Sequence, residues 1–280
     1  MTLDEVYHQS LKRLKNPQLE EINIRMLLSD INGIESMSSF YIRKDEEIQD
    51  LQRFNELFER FLKGEPIQYL LKKAQFYGRD FYVDNRVLIP RMESEEVVLF
   101  AINKAKAIFG RHFKPNIADV CAGSGCLGIT LSKELNAKEL YLSDISKDAI
   151  DVTKKNLEIH NVDGHVFIGD SLEPLIKNNV KCDILISNPP YILKKEDVDK
   201  SVLDFEPHNA LFTDENLYVY DHIISNLKKI MNKPSIVIFE IGYDLKPLLE
   251  EKIKKYLPDC EYLFSKDMNG NYRILSITLK

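Results

Sequence analysis

The sequence predicts an α/β fold: a parallel sheet covered by helices on both faces, preceded by a small helical bundle and a β-hairpin. Three observations carry this reading. From residue 117 onward, short β-branched runs alternate with helical stretches, the pattern of strand–helix–strand units. A glycine turn, Gly123-Ser124-Gly125 with Gly128 beyond it, joins the first of those strands to the helix after it. The first 70 or so residues carry apolar positions at helical spacing instead.

Taken in order, Leu3, Tyr7, Leu11 and Leu14 mark a first helix that Asn16-Pro17 brings to an end. A second helix is expected over 19–28, stopping near Asn32-Gly33. A third is expected over 45–63, where Ile48, Leu51, Phe54, Phe58 and Phe61 form one stripe, Asp45 suits the N-cap, and Gly64 and Pro66 follow the end. Residues 1–74 are thus read as a helical domain. In FYGRDFYVDNRVLIPR, residues 76–91, aromatic and β-branched residues surround the turn-like pair Asp84-Asn85, which predicts a hairpin linker over 75–91. A main domain, 92–280, opens with a helix over 93–109. Its strands are expected at 117–121, 139–143, 166–168, 184–187 and 235–241, with helices between them such as 148–160. Two last strands, 261–265 and 273–279, join across Asn269-Gly270-Asn271.

Composition narrows the class. Hydrophobic residues make up 44% of the 280 and charged residues 29%, enough for a sizeable core and against wholesale disorder. Four cysteines without a C-x-x-C pair indicate neither a disulfide framework nor a zinc site, and six scattered histidines show no ligand spacing, so no metal is expected. With 38 Lys+Arg against 44 Asp+Glu the net charge is -6, so the chain offers no global attraction to a nucleic acid. No apolar run approaches the roughly 20 residues that cross a bilayer. The opening MTLDEVYHQS lacks the basic and then apolar order of a signal peptide. A cytoplasmic monomer is the expectation.

The glycine turn lies within IADVCAGSGCLGI, residues 117–129, where Gly123, Gly125 and Gly128 match G-x-G-x-x-G. The glycines let backbone approach a ligand, and the following helix presents its positive end. Asp144 ends the next strand about 20 residues on, where a carboxylate can accept both hydroxyls of a ribose. Together they predict a nucleoside cofactor; a tight turn with a capping aspartate is the alternative, and a dinucleotide enzyme would show the same features. Asp119 ahead of the turn and Asp170 in IGDSL favour S-adenosylmethionine, the first as partner of an ammonium and the second of an adenine amine. Each could equally be a loop or cap residue.

The most specific stretch is DILISNPPYIL, residues 183–193. An amide nitrogen is a poor nucleophile because its lone pair is shared with the carbonyl, so a catalyst must hold that lone pair towards a methyl carbon. The Asn188 side-chain oxygen and the Pro189 carbonyl can each accept one N–H of an incoming NH2 group. Prolines 189 and 190 fix the corner and offer no competing donor, and Tyr191 offers a flat face for a planar amide or base. Alignment is expected to dominate, and no general base is nominated. An ordinary strand-ending turn is the bland alternative.

A parallel-sheet domain with N-P-P-Y after its fourth strand looks like the amino-methyltransferases. Further stretches narrow the match: GEPIQYLL at 64–71, FYGRDFYVDNRVLIPRMESE at 76–95, LSDIS, EPHNALF at 206–212, FEIG at 239–242 and DMNGNYRIL at 267–275. From Gly64 to the C-terminus the sequence resembles the HemK/PrmC family of release factor glutamine methyltransferases, and the helical N-terminus fits that family in kind. The resemblance implies a Rossmann-like class I fold that uses S-adenosylmethionine to methylate N5 of the G-G-Q glutamine in peptide chain release factors, with the helical domain gripping that protein. It implies cofactor contacts from Asp119, Cys121, Ala122, Gly123, Ser124, Gly125, Asp144, Asp170, Ser171 and Asn188. Asn188, Pro189 and Tyr191 become the catalytic residues, and Pro190, Arg91 and Glu206 join them in binding substrate. Arg91 could instead fasten the hairpin by a salt bridge, and Glu206 could cap a helix. The chain departs from the pattern at P-R-M-E-S-E, where the family has P-R-P-E-T-E, at Cys121-Ala122, where glycine or another small residue is usual, and at FTDENL, which lacks the usual glycines. The rivals are methylation of adenine or of a ribosomal-protein glutamine, a nicotinamide dehydrogenase, and a nucleotide-binding module without catalysis.

Overall fold

The structure is a computed structural model that describes residues 1–280 apart from the side chains of Met37 and Asp197. It divides into two compact units, Met1–Lys73 and Ala74–Lys280.

The first unit contains helices α1 (Leu3–Leu11), α2 (Pro17–Ile31), α3 (Met37–Arg43), α4 (Leu51–Leu62) and α5 (Ile67–Leu71). Thr2 and Glu5 close a capping box on α1, and Pro17 opens α2, where a missing N–H costs nothing. Leu3, Ile24, Leu27, Leu28, Phe54 and Phe58 meet in one core. Two expectations are corrected. The third expected helix starts at Leu51 rather than near Asp45, and Asp50 is its cap, accepting from the Arg53 N–H. Residues 44–48 are diverted because their backbone pairs with the chain start: Leu3 N–H donates to the Glu46 carbonyl and Ile48 N–H to that of Met1. The short α3, capped by Ser36, was not anticipated.

The second unit opens with a hairpin, β1 (Ala74–Phe76) and β2 (Arg79–Phe81). Its turn is Tyr77-Gly78, both at positive φ (51° and 69°), not the expected Asp84-Asn85. A two-residue turn with both central residues left-handed matches strand twist. Asp84 instead folds back on Arg86, accepting from its backbone N–H and its guanidinium. Then follow α6 (Met92–Phe109), β3 (Asn116–Val120), α7 (Cys126–Leu135), β4 (Glu139–Asp144), α8 (Lys147–His160), β5 (His165–Ile168), α9 (Glu173–Lys177) and β6 (Cys182–Ser187). The chain continues through α10 (Lys200–Phe205), α11 (His208–Leu211), α12 (Tyr218–Ile230), β7 (Met231–Glu240), α13 (Lys246–Tyr256), β8 (Glu261–Lys266) and β9 (Tyr272–Leu279).

Seven strands form one sheet in the order β5-β4-β3-β6-β7-β9-β8, the first five parallel and β9 antiparallel to both its neighbours. Both faces are covered. Ala118, Leu185 and Val237 pack with Ile223 and Leu227 on one side, while Ile117, Ile184 and Ile236 pack with Val97 and Leu131 on the other. This two-sided burial explains why the central strands read as unbroken apolar runs. β3 and β6 lie side by side with Val120 opposite Ser187, yet β3 leads on to β4 and β6 to β7 on the far side. Strand order reverses there, which opens a crevice at the carboxyl ends. Among the described residues no helix is long and apolar enough to cross a membrane, and no group of His, Cys, Asp and Glu is placed to hold a metal ion.

Candidate active site

A cavity of about 460 Å³ opens at that crevice. Of the residues expected from the sequence, Arg91, Cys121, Ala122, Gly123, Ser124, Asp144, Asp170, Ser171, Asn188 and Pro190 lie on its wall. Asp119, Gly125, Pro189, Tyr191 and Glu206 do not.

The glycine turn is built from two sides. Cys121 and Gly123 take positive φ (60° and 56°), so the loop holds left-handed geometry at a cysteine as well as at a glycine. Asp144 at the end of β4 accepts from the Gly123 N–H through Oδ2 and from the Ser146 N–H through Oδ1, both at 2.9 Å. Burial raises its pKa against these backbone donors. From behind, α8 supplies two fully buried polar side chains that sequence reasoning missed. Thr153 donates to the Gly123 carbonyl at 2.7 Å, and Asn156 donates to the carbonyls of Ser124 and Tyr82 and accepts from the Tyr82 N–H. Their signal is the spacing of three, which puts both on the buried face beside Ile150 and Leu157.

Asp119 lies beneath the glycine loop and off the cavity wall. It is wholly buried, its Oδ2 accepts from the Gly128 N–H at 2.8 Å, and its Oδ1 has no partner. Burial pushes its carboxyl up to about 7, opposed by the Gly128 N–H and assisted by the charge of Asp144. Gly128 makes room for this contact: a Cβ there would sit 2.7 Å from the Asp119 Cβ. Asp170 lies on the wall with both oxygens engaged, Oδ1 by the Ser171 hydroxyl and Oδ2 by the Tyr218 hydroxyl. Tyr218 follows Leu217, a buried residue with φ of 51° that takes the left-handed conformation without a glycine.

Asn188 leaves the fully buried strand β6 directly onto the cavity wall, and its carboxamide makes no hydrogen bond to another described residue. Just before it, the Ser187 hydroxyl donates to the Val120 carbonyl and locks β6 to β3. Pro189 is buried. Tyr191 packs against the core and donates to Glu240 at 3.5 Å. Arg91 reaches the wall held by a buried Glu206 at 2.5 Å, whose second oxygen accepts from the Ile89 N–H. Glu206 therefore positions Arg91 from behind and is not itself on the wall. Ser94, Ser146, Phe212 and Tyr218 line the cavity and were not anticipated.

Comparison with known proteins bears directly on this arrangement. Residues 101–226 match the family model of the methyltransferase small domain, and residues 5–71 match that of the PrmC N-terminal domain. The chain is 41% identical over 229 residues to the release factor glutamine methyltransferase of Staphylococcus aureus (strain NCTC 8325 / PS 47), covering 81% of this chain and 80% of that one. It is 37% identical over 230 residues to the enzyme of the same name from Bacillus subtilis (strain 168), covering 81% and 80%. The crystal structure of ribosomal protein L11 methylase from Lactobacillus delbrueckii subsp. bulgaricus shares the fold, with a TM-score of 0.50 at 20% identity over 68% of this chain and 80% of that one. Sheet order, glycine turn and acidic strand ends together define a Rossmann-like methyltransferase of the S-adenosylmethionine-dependent class. Within that class the chain belongs to the release factor glutamine methyltransferase family.

The wall fits that cofactor. Asp144 spends only part of its acceptor capacity on backbone N–H groups, which leaves lone pairs for a ribose diol. Gly123 has no atom within 4 Å of where a Cβ would be, so the backbone there can be approached closely.

Proposed function

We propose that this enzyme transfers a methyl group from S-adenosylmethionine to N5 of the glutamine side chain in the G-G-Q motif of peptide chain release factors. The observation that carries the reading is Asn188: a carboxamide with no internal partner, at the end of a buried strand, on the wall of the cavity that the glycine turn and Asp144 also line. When bound, S-adenosylmethionine supplies an electrophilic methyl carbon on a sulfonium. The Asn188 oxygen and the Pro189 carbonyl accept the two N–H groups of the target amide and hold its nitrogen lone pair in line. Pro190 walls the site and keeps the corner stiff. Arg91, anchored by Glu206, borders the same space. No proton needs to leave before transfer, so orientation, which can contribute on the order of 7 kcal/mol or more, is the main catalytic term.

In this reading the helical unit recognises the release factor, and the enzyme works as a cytoplasmic monomer on protein rather than nucleic acid. The net charge of -6 supports the last point. The test is to incubate the protein with isotopically labelled cofactor and, separately, a release factor, ribosomal proteins or DNA, then to locate the label by mass spectrometry. Label on the G-G-Q glutamine is expected; label on adenine, or on a ribosomal-protein glutamine alone, would overturn the substrate assignment.

A further inference from the structure

We infer that Glu240, the last residue of β7, is a positioning residue for the N-P-P-Y corner, acting through Tyr191 together with the side-chain-free Gly242. This rests on the assignment of Asn188 under the proposed function.

Glu240 is 1% exposed, and although the charge of Arg273 favours its ionised form, a carboxylate buried there is costly unless its oxygens find donors, so its contacts need an account. Its Oε2 accepts from the Ser94 hydroxyl at 2.5 Å, and Ser94 lies in the first turn of α6 on the cavity wall. Its Oε1 is 3.5 Å from the Tyr191 hydroxyl, which donates to it. Its backbone carbonyl takes the Tyr220 hydroxyl at 2.7 Å, which fixes the strand end. One buried carboxylate therefore joins β7, the start of α6 and the residue that closes the N-P-P-Y corner.

A second, independent contact falls on the same ring. A Cβ on Gly242 would lie 3.3 Å from Tyr191 Cδ2, 3.2 Å from Asp244 Oδ1 and 3.3 Å from Leu245 Cγ, and Gly242 is not at a positive φ, so a side chain there would press on the Tyr191 ring as well as on the residues that lead into α13. Beyond Tyr191 the chain is held again, since Ile192 exchanges backbone hydrogen bonds with Leu211 and Thr213. The corner is thus clamped at both ends: Ser187 to Val120 before it, Tyr191 and Ile192 after it. With two prolines between, the backbone that carries the Asn188 side chain has little freedom left that these anchors do not set.

The test compares Glu240→Leu, Glu240→Gln, Gly242→Ala, Tyr191→Phe and the double variant Glu240→Leu/Tyr191→Phe in the full-length enzyme, measuring kcat and KM on a release factor, S-adenosylhomocysteine affinity and thermal stability. Glu240→Leu should lower kcat roughly 10- to 100-fold, the scale of a small misplacement, with S-adenosylhomocysteine affinity within about threefold. Glu240→Gln, which keeps an acceptor, should recover most of it, and Gly242→Ala should lower kcat in the same selective way. The double variant should be no slower than the worse single variant, the non-additivity expected of residues acting as a unit. Additive losses, an undiminished kcat in Glu240→Leu, or equal losses in kcat and cofactor affinity would overturn the inference. If Glu240→Leu does not fold, Gly242→Ala and Tyr191→Phe decide alone, by selective loss or none. Asn188→Ala run alongside separates the two ideas: if it is inactive while Glu240→Leu is not, only the positioning role falls.

Discussion

Asp119 shows how much a single residue's surroundings decide. Its place ahead of the glycine turn was legible, but its role depends on a burial that no local pattern reveals. Burial raises the carboxyl from 3.8 to about 7 despite the Gly128 N–H. The folded state thus holds a proton that the unfolded chain releases near pH 4, and stability present below that value is lost as pH rises through 7. Three units correspond to roughly 4 kcal/mol in all, of which roughly 2 to 3 should fall between about pH 5 and about pH 8. Urea unfolding of the wild type and Asp119→Asn at those two values should show a loss smaller in the variant by roughly 2 to 3 kcal/mol, the slope that remains coming from Asp144 and Glu240, whose carboxyls burial also raises. Parallel responses would refute the assignment. Cys121 carries the opposite lesson: its departure from the family pattern was visible in the sequence, and the backbone nonetheless reaches φ of 60° there.

Among elements, strands buried on both faces were easy to read because β-branched runs such as 184–187 have no polar interruption. The short helices α3 and α5 were not, because seven and five residues carry too little periodicity to register. The hairpin turn was misplaced because Tyr77 hides a left-handed site that Asp84-Asn85 advertises more loudly. The larger omission lay within α8, an expected helix whose Thr153 and Asn156 look like ordinary polar residues on an amphipathic face. Asn156 satisfies three backbone groups, and Asn156→Leu would strand them in the interior. A loss of about 3 kcal/mol in denaturant unfolding is expected. Because Ser124 is on the cavity wall, titration calorimetry should also show weaker S-adenosylhomocysteine binding. Unchanged stability and affinity would mean that α8 does not hold the glycine loop.

At the scale of the whole molecule, the cavity is lined only by residues between Arg86 and Val219, all within the unit Ala74–Lys280, while Met1–Lys73 has a core of its own. A chain of residues 74–280 should therefore keep S-adenosylhomocysteine affinity within a few-fold while losing most of its turnover on an intact release factor. Full turnover without the helical unit would remove that unit from substrate recognition. The division into a helical part and an α/β part was readable from the change of periodicity, whereas the convergence of residues 91, 121–124, 144, 170 and 188 on one cavity requires the strand-order reversal that only the folded sheet supplies. The central claim is that Asn188 aligns the acceptor amide. Single-turnover methyl transfer to a release factor, followed by mass spectrometry of the G-G-Q peptide for wild type and Asn188→Ala with cofactor saturating, tests it most directly. A fall of roughly 10²-fold or more with S-adenosylhomocysteine affinity nearly unchanged is predicted; transfer at the wild-type rate would contradict it.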